Sequence, residues 1–332
     1  MSLLNVPDAF AQWSHVPSRL IFEGADRRTP KLSICIPTFR RPDLLVEAVA
    51  SAIEQDWEEP FEVVVVDNDP ASTFAEVLRE QLPAVERANF RYYVNTENTG
   101  MFGNWNRSIE LARAPWYTML HDDDLLERNF ASTMMTALAR HPEIEGLVCR
   151  RRFFVGHELS APQSLPKELA LRLVRDTPYR GRQVRPYGAH HFFWHCDNPV
   201  GLICKKADLI ALGGYQPDEY PSSDHYFQLR FAIKHRLYEC RDYLTRIRFE
   251  ESESARPEVF LRMLIGFHHL REKMAGTVVP RWWLRASGLI MQRQRQRDNP
   301  PDLQVVQEAT GVTLPKNRPY LLATLRILAG GY

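Results

Sequence analysis

The sequence predicts an α/β fold in which a mostly parallel sheet is flanked by helices and followed by a C-terminal helical region. Apolar runs of strand length alternate with longer segments whose apolar residues recur at helical spacing. The strand-like runs include stretches such as the four valines of residues 63–66, which are apolar at every position instead of alternating with polar residues. Because a strand buried on both faces has such a continuous apolar run, these segments indicate a parallel sheet covered by helices on both sides.

"LSICIP" followed by "PDLLVEAVASAI" is the first strand and helix of this pattern. The proline that opens the second segment suits the first turn of a helix, and the aspartate after it suits the helix dipole. "FEVVVVD" is the second strand, and Thr73 and Glu76 behind it have the spacing of a capping box. We therefore expect a short second helix there.

"FRYYVN" and "WYTML" are the third and fourth strands, followed by helices in "GNWNRSIELARA" and from near Glu127. Polar side chains follow all four strands, from Thr38 after the first to three consecutive aspartates after the fourth. In parallel sheets, ligands bind at the carboxyl ends of the strands. We therefore expect these polar side chains to converge on one crevice.

The later part of the chain is less regular. "NPVGLICKKADLIALGGY" predicts an apolar stretch and a helix that ends at Gly213 and Gly214. "SSDHYFQLRFAIKH" predicts a helix capped by Ser222 or Ser223, with Asp224 in its first turn.

Composition excludes some classes of partner and compartment. The 332 residues carry 42 basic and 41 acidic side chains, so overall charge does not favour nucleic acid as a partner. The five cysteines have no metal-binding spacing and do not indicate a disulfide framework, which favours a reducing compartment. Because the sequence has neither a signal-like leader nor an apolar run of bilayer length, we expect a cytoplasmic protein, soluble or peripheral to a membrane.

The aspartates of "YTMLHDDDLL" bring three carboxylates to one strand end. Carboxylates on adjacent loop residues suit a hard divalent cation, so Mn²⁺ or Mg²⁺ is the expected cofactor. The alternative is an acidic turn that caps the helix expected near Glu127. The absence of GxGxxG and GxxxxGK[ST] motifs counts against a dinucleotide-binding unit and a P-loop.

Four segments resemble, in order and spacing, the signatures of the glycosyltransferase family 2 catalytic domain. They are "LSICIPTFRRPDLL", "VVVVDND", "NTGMFGNWNRSIELARAPWYTMLHDDDLL" and "LGGYQPDEYPSSDHYFQLR", and they span about residues 31 to 250. The resemblance implies the GT-A (Rossmann-like) fold and inversion at the anomeric carbon. It also implies a divalent metal and a nucleoside-diphosphate-sugar donor, for which a UDP-sugar is expected.

The resemblance assigns residues to the donor site. Thr38 and Arg40 fall in the loop after the first strand, and Asp67 falls at the position that contacts the base. The full expected donor-binding set is Pro37, Thr38, Arg40, Asp67, Asn98, Gly100, Asn106, Asp122, Asp123 and Arg248. Two alternatives stay open: Asp67 as a turn-forming residue of "DNDP" and Arg248 on a solvated strand edge.

The acidic motif departs from the family pattern at His121, where many members have an aspartate. The resemblance makes Asp122, Asp123 and Asp124 the expected metal ligands, with Asp123 foremost. It also makes Asp224 the catalytic base that accepts the proton of the acceptor hydroxyl. The alternative role of Asp224 is a partner of the helix dipole.

We expect three regions: an N-terminal extension (1–30), the catalytic domain (31–255) and a C-terminal helical region (256–332). The catalytic domain comprises a nucleotide-sugar half, 31–125, and an acceptor half, 126–255. In the last region, "RWWLRASGLIMQRQRQR" predicts either a helix at an anionic membrane surface or a packed helix with a solvated basic face. The histidines of "HHFFWH" lack a complete ligand set, which favours a core or acceptor-pocket lining over a metal site.

We therefore expect an inverting glycosyltransferase that moves a sugar to a hydroxyl of a glycan or a lipid-linked glycan. Bacterial surface polysaccharide synthesis is the expected setting, at the inner face of the plasma membrane if the protein is peripheral. A sugar nucleotidyltransferase is the first alternative, although "PTFRRPDLL" lacks the glycine-rich loop of that class. A catalytically silent glycan-binding subunit is the second, because of His121.

Overall fold

The computed structural model describes residues 3–156, 158–159, 182–187, 199–248, 256–274 and 308. The strands in this part of the chain are β1 (Ser18–Glu23), β2 (Leu32–Thr38), β3 (Phe61–Asp67), β4 (Phe90–Asn95), β5 (Trp116–Met119), β6 (Leu125–Leu126), β7 (Gly146–Val155), β8 (Glu158–Leu159), β9 (Val184–Pro186), β10 (Leu202–Lys205) and β11 (Leu237–Arg248). The helices are α1 (Pro42–Ile53), α2 (Phe74–Gln81), α3 (Gly100–Leu111), α4 (Phe130–Arg140), α5 (Lys206–Ala211), α6 (Ser223–Lys234) and α7 (Pro257–Met274).

Within the described residues the strands form one sheet in the order β1-β4-β3-β2-β5-β10-β7-β11-β6, with β8 beside β7 and β9 beside β11. Strands β4, β3, β2 and β5 are parallel, and β7 and β11 form another parallel pair. Strand β10 joins these two blocks by antiparallel pairing with β5 and β7. The arrangement confirms the predicted α/β fold.

Both faces of the central sheet are buried. In β2, Ile34 and Ile36 belong to an apolar cluster with α1, α2 and α4, whereas Cys35 belongs to a second cluster with α3, α5 and α6. Successive side chains of a strand point to opposite faces, so apolar residues at consecutive positions, such as Ile34, Cys35 and Ile36, fill both. Only the strand ends then remain to present polar side chains to a ligand.

Helix α1 has the predicted bounds, but α4 begins at Phe130 instead of near Glu127. The cause is β6, because Leu125 and Leu126 pair with β11 before the helix starts. The aspartates therefore precede a strand, and the interpretation of the triplet as an acidic helix cap is wrong.

The predicted capping box of α2 is also wrong. The side chain of Thr73 makes no capping hydrogen bond. Instead, the backbone N–H of Phe74 donates to Ser72 Oγ over 3.2 Å. The hydroxyl one residue earlier thus satisfies one of the free N–H groups at this helix end.

Part of the predicted N-terminal extension belongs to the sheet. Strand β1 pairs antiparallel with β4, which places it at the sheet edge. Ahead of it, the Ala9 N–H donates to Gly213 O over 3.1 Å, and Arg107 Nη2 donates to Val16 O over 2.6 Å. This segment therefore packs against the domain beside α3 as well as along β4.

None of the described helices is both long and apolar enough to cross a bilayer. The segments "HHFFWH" and "RWWLRASGLIMQRQRQR" lie outside the described residues. Their predicted roles stay predictions.

Candidate active site

The acidic motif lies in the turn between β5 and β6, at the carboxyl end of the parallel block. The backbone N–H of Asp124 donates to His121 O over 3.2 Å, which closes the turn. The three aspartates are only 2 to 9% exposed. A carboxylate buried to this extent requires hydrogen-bond or cationic partners.

The loop after β2 supplies two of those partners. Thr38 Oγ1 donates to Asp122 Oδ2 over 2.7 Å. Arg41 Nη1 lies 2.8 Å from Asp123 Oδ2 and 3.5 Å from Asp122 Oδ1. Since β2 and β5 are adjacent parallel strands, the loops at their carboxyl ends are neighbours, and these contacts join them.

Crowding and burial shift the protonation of the motif. Burial and the neighbouring charge of Asp123 raise the pKa of Asp122 to about 6, although Thr38 and Arg41 partly oppose the shift. Burial lowers the pKa of His121, but the nearby aspartates outweigh it and raise that pKa above its usual value. A bound cation relieves such repulsion among buried carboxylates.

One imidazole and two carboxylates of this motif form a possible ligand set for a metal. His121, Asp123 and Asp124 each offer a ligand atom, and these atoms all lie within 4.8 Å of one another. His121 Nε2 is buried and has no hydrogen-bond partner, and the buried Asp124 Oδ2 has only the long contact of 3.5 Å to His121 Nδ1. Imidazole and carboxylate together suit Mn²⁺, so the residues present fit a divalent cation of this kind.

This set differs from the predicted ligands at one position. Asp123 and Asp124 belong to it, whereas Asp122 is engaged by Thr38 and Arg41 and lies outside it. His121, which the sequence marked as a departure from the family pattern, takes the third place. The predicted set of three aspartates therefore differs from the grouping in the structure, and occupancy by a metal stays a prediction.

Aromatic rings connect His121 to the segment before α6. The His121 ring stacks on Trp105 with the ring centroids 5.0 Å apart, and Trp105 contacts Tyr215 edge-on at 5.2 Å. Burial raises the pKa of Tyr215, and the charge of Asp224 adds to the shift. Asp224 thus lies close enough to this aromatic wall to act on it electrostatically.

Asp224 occupies the first turn of α6, as predicted. Its carboxylate is 19% exposed, and Asp224 Oδ1 lies 3.2 Å from His225 Nδ1. The candidate base is therefore partly sheltered but accessible to a ligand. Its hydrogen-bonding neighbour is an imidazole, the one side chain whose ordinary pKa lies near neutrality.

Asp67 and Arg40 lie at neighbouring strand ends. Asp67 is buried, accepts a hydrogen bond from Tyr92 Oη over 2.7 Å and accepts another from the Asp69 N–H over 3.0 Å. The second bond is the turn-forming contact considered as the alternative role of Asp67. Arg40 has a φ of 57°, and its Nε donates to Asp69 Oδ2 over 2.7 Å.

The loop before α3 is organised by amides. Asn98 Oδ1 accepts hydrogen bonds from the Gly100 N–H over 2.8 Å and from Asn68 Nδ2 over 2.9 Å. Gly100 has a φ of 71°, which other residues rarely adopt. The predicted pair Asn98 and Gly100 therefore shapes the loop that faces the crevice.

Asn106 has a structural role that differs from its predicted contact with the nucleotide-sugar donor. Its Nδ2 donates to Tyr215 O and its Oδ1 accepts from the Tyr215 N–H, both over 2.8 Å. The side chain is 3% exposed. Asn106 therefore joins α3 to the segment before α6.

Sequence reasoning missed a buried amide cluster behind the crevice. Asn68 Oδ1 accepts from Asn95 Nδ2 over 2.9 Å and from the Thr99 N–H over 3.0 Å. Asn95 Nδ2 also donates to Asn104 Oδ1 over 2.9 Å. The only signal in the sequence is an excess of asparagine after β3 and β4, which turns also explain.

Sequence reasoning also missed Arg41 and left the register of Arg248 open. The Arg248 N–H donates to Asp124 Oδ1 over 2.9 Å, and its Nε donates to Asp123 O over 3.0 Å. Its Nη2 lies 2.8 Å from Glu47 Oε2. Arg248 is 8% exposed, so the solvated-edge alternative is wrong for this residue.

Residues 33–197 match the family model for glycosyl transferase family 2. The match covers about half of the chain and includes the loop after β2, Asp67 and the acidic motif. The chain belongs to glycosyl transferase family 2. Residues 33–197 are accordingly part of a glycosyltransferase domain, as the resemblance predicted.

Curated relatives of this family 2 chain align over part of their length. A protein of Escherichia coli (strain K12), named as a colanic acid biosynthesis glycosyl transferase, WcaA, is 30% identical over 47% of this chain and 53% of the relative. The GalNAc(5)-diNAcBac-PP-undecaprenol beta-1,3-glucosyltransferase of Campylobacter jejuni is 33% identical over 32% of this chain and 34% of the relative. The chain thus spans about a third to about half of these two relatives.

Solved structures share the fold. S. aureus TarS 1-349 superposes with a TM-score of 0.57 at 15% identity, covering 81% of this chain and 73% of that chain. The Pyrobaculum calidifontis mannosyltransferase PcManGT, in complex with GDP-Man and Mn²⁺, superposes with a TM-score of 0.52 at 18% identity, covering 96% and 89% of the two chains. At these identities the likeness establishes a GT-A-type α/β fold for the family 2 chain.

Proposed function

We propose that the protein is an inverting glycosyltransferase that transfers one sugar from a UDP-sugar to a hydroxyl of a glycan or lipid-linked glycan. The observation that carries the proposal is the convergence of Thr38, Arg41 and Arg248 on three buried aspartates at one strand-end crevice. Such a site combines anionic metal ligands with cations suited to phosphates. Relatives named for polysaccharide and lipid-linked glycan synthesis support the acceptor class.

Donor recognition in this proposal uses the strand ends of the 31–125 half. Asp67 and the Asn98–Gly100 loop border the nucleoside, while Thr38 and Arg40 border the phosphates. A TarS complex with UDP-GlcNAc and the PcManGT complex with GDP-Man support a nucleotide-sugar donor, since both share the fold. Among donors, a UDP-sugar stays our expectation.

Asp123 and Asp124, with His121 or Asp122, would hold the divalent cation, Mn²⁺ or Mg²⁺. When bound, this cation supplies Lewis-acid stabilisation of the departing diphosphate. Arg41 pairs with the Asp123 carboxylate, and the Arg248 guanidinium lies beside it, bonded to the main-chain O of Asp123 and to Glu47. Preorganised charge of this kind lowers the barrier, because it needs no rearrangement as the leaving group develops its charge.

Asp224 is the proposed base of the 126–255 half. Inversion needs a base on the acceptor side, so that the attacking oxygen loses its proton as the new bond forms. A partly exposed carboxylate near the aromatic wall of Trp105 and Tyr215 meets this need. The aromatic faces also exclude water, which limits hydrolysis of the donor.

The setting we propose is bacterial surface polysaccharide synthesis, in the cytoplasm or at the inner face of the plasma membrane. The C-terminal region would supply any membrane contact. The WcaA relationship supports this setting by its name.

Thermal-shift titration tests the donor site. The protein is heated with UDP, GDP, dTDP or CDP, each with and without Mn²⁺, and with NAD as a non-donor nucleotide. A ligand that binds the native state stabilises it by about 2.7 kcal/mol when its free concentration is 100 times Kd. We expect Mn²⁺-dependent stabilisation by UDP.

Asp123→Ala should abolish that stabilisation, whereas Asp26→Ala should retain it. Asp26 pairs with Arg28 at the surface, far along the chain from the acidic motif, and serves as the matched control. Donor hydrolysis or transfer by the wild type, lost in Asp224→Asn, would establish the base. Binding without any turnover would favour a silent glycan-binding subunit instead.

A further inference from the structure

A polar cavity that is shallow and open to solvent lies where β7, β9 and β11 meet, away from the acidic motif. Its volume is about 450 Å³, and its lining residues are Arg150, Arg182, Gln183, Arg241 and Asp242. They come from β7, from the segment that leads into β9, and from the middle of β11. Three arginines and one aspartate therefore contribute to its lining.

Strand pairing explains why these residues meet. The Arg241 N–H donates to Gln183 O, and Arg241 Nη1 donates to Arg182 O, both over 3.0 Å. Gln183 Nε2 donates to Asp242 Oδ2 over 2.9 Å. The register between β7 and β11 shifts between Cys240 and Tyr243, which re-aims Arg241 and Asp242 relative to a regular strand.

Positive charge extends beneath the cavity. Glu239 accepts from Arg150 Nε over 3.1 Å and also forms an ion pair with Arg185, which is fully buried. The Glu239 carboxylate thus pairs with two guanidinium groups. The ring of Tyr243 lies 5.9 Å from the Arg150 guanidinium and 5.3 Å from that of Arg152, which adds cation–π support. Among the described residues around the cavity, arginines outnumber carboxylates.

We propose that this cavity binds a phosphate or diphosphate group carried by the acceptor. Arginine is the residue best suited to phosphate, because its planar fork of donors matches the oxygens in pairs. The inference rests on the proposed function, since it identifies the acceptor of that reaction.

The distance to the acidic motif constrains the acceptor further. Strand β11 runs from Arg241 at the cavity to Arg248, whose N–H contacts Asp124. At about 3.3 Å per residue, this path is about 23 Å long. A phosphate in the cavity and a sugar hydroxyl beside the acidic motif are therefore separated by more than one sugar ring. The acceptor is accordingly a phosphate-linked oligosaccharide, extended at its end remote from the phosphate.

Isothermal titration calorimetry with inorganic pyrophosphate tests whether this cavity binds a diphosphate. EDTA is present, so that metal-dependent binding at the acidic motif is suppressed. We expect the wild type to bind pyrophosphate and the double variant Arg182→Gln, Arg241→Gln to bind it at least about tenfold more weakly, since charged hydrogen bonds are lost. Arg182→Glu reverses one charge at an exposed position and provides a second variant with little effect on folding.

Matched controls separate this inference from the proposed function. The double variant Arg27→Gln, Arg113→Gln removes two exposed arginines that both contact Glu23, and it should bind pyrophosphate like the wild type. UDP with Mn²⁺ should bind equally to all variants. If the wild type does not bind UDP, the proposed function is contradicted. The proposal that the cavity binds an anion is then judged separately, from the pyrophosphate titrations.

Two results would overturn the inference. One is equal pyrophosphate affinity in the wild type, the cavity variants and the control variant. The other is the absence of pyrophosphate binding together with cavity-dependent binding to phosphatidylcholine vesicles that contain phosphatidylglycerol. That second result would assign the arginines to membrane headgroups instead of an acceptor phosphate.

Discussion

Replacing Asp122 with asparagine should stabilise the metal-free protein at neutral pH. The wild-type carboxyl has a pKa of about 6 in the folded chain, against 3.8 as its ordinary value. An acid whose pKa is raised by folding binds more protons in the folded state, so its contribution to stability falls as pH rises from about 4 to about 6. Above that range, the ionised group costs about 3 kcal/mol, at about 1.4 kcal/mol per pKa unit.

Asparagine has nearly the same shape and still accepts the hydrogen bond from Thr38. The pKa of about 6 already includes the attraction of Arg41, whose Nη1 lies 3.5 Å from Asp122 Oδ1, so about 3 kcal/mol is the upper limit of the gain. We expect the free energy of unfolding at pH 7.5 to rise by about 1 to 3 kcal/mol. At pH 4 the difference should largely vanish, because the wild-type carboxyl is then protonated.

Urea denaturation in EDTA measures this difference, with the slope of the transition compared between the proteins to verify a common unfolding process. Asp26→Asn is the control, because the Asp26 carboxylate pairs with Arg28 at the surface and its pKa is lowered chiefly by that hydrogen bond. An Asp122→Asn protein that is equally or less stable at pH 7.5 would refute the argument. It would mean that Thr38 and Arg41 fully compensate the buried charge.

Three further predictions concern other parts of the molecule. Arg91→Ala should lower the free energy of unfolding by about 3 to 5 kcal/mol, because it leaves the fully buried carboxylate of Glu62, 2.5 Å from Arg91 Nη2, without its cation. Urea denaturation measures the difference, and a loss below 1 kcal/mol would contradict this prediction. Gly100→Ala should lower the free energy of unfolding by about 1 to 2 kcal/mol, because alanine is strained in the left-handed backbone conformation of this position. No atom lies within 4 Å of an added Cβ, so a steric clash adds nothing to this cost. Thermal denaturation measures the difference. His121→Asp should shift metal preference from Mn²⁺ toward Mg²⁺ in calorimetric titrations with each ion, because imidazole is a poor ligand for Mg²⁺; an unchanged preference would remove His121 from the ligand set.

The sequence was sufficient for the architecture of the donor half. Continuous apolar runs require two buried faces, and this requirement selected a parallel sheet with helices on both sides. The bounds of α1, the strands β2 to β5 and the glycine stop after α5 all followed from local patterns. Polar residues placed just after those strands predicted the crevice, because parallel strands share one carboxyl edge.

The partners of each site residue depended on contacts remote in sequence. Arg41 lies 82 residues from Asp123, Arg248 lies 124 residues from Asp124, and Asn106 lies 109 residues from Tyr215. No local pattern specifies such a pair, since many arginines and asparagines have the same local propensities. Only the packing of β2, β5, β11 and α3 decides which of them is close enough to bond.

The sequence by itself therefore determined the fold class, the position of the acidic motif and the family to which the chain belongs. Tertiary structure decided that β1 completes the sheet, that β6 replaces the first turn of α4, and that Arg41 neutralises the aspartates. The spacing of apolar residues along a segment indicates which of its faces are buried, and burial of those faces stabilises the sheet. Hydrogen bonds and ion pairs instead depend on distances of a few ångströms between side chains, and these distances are fixed only when the whole domain has packed.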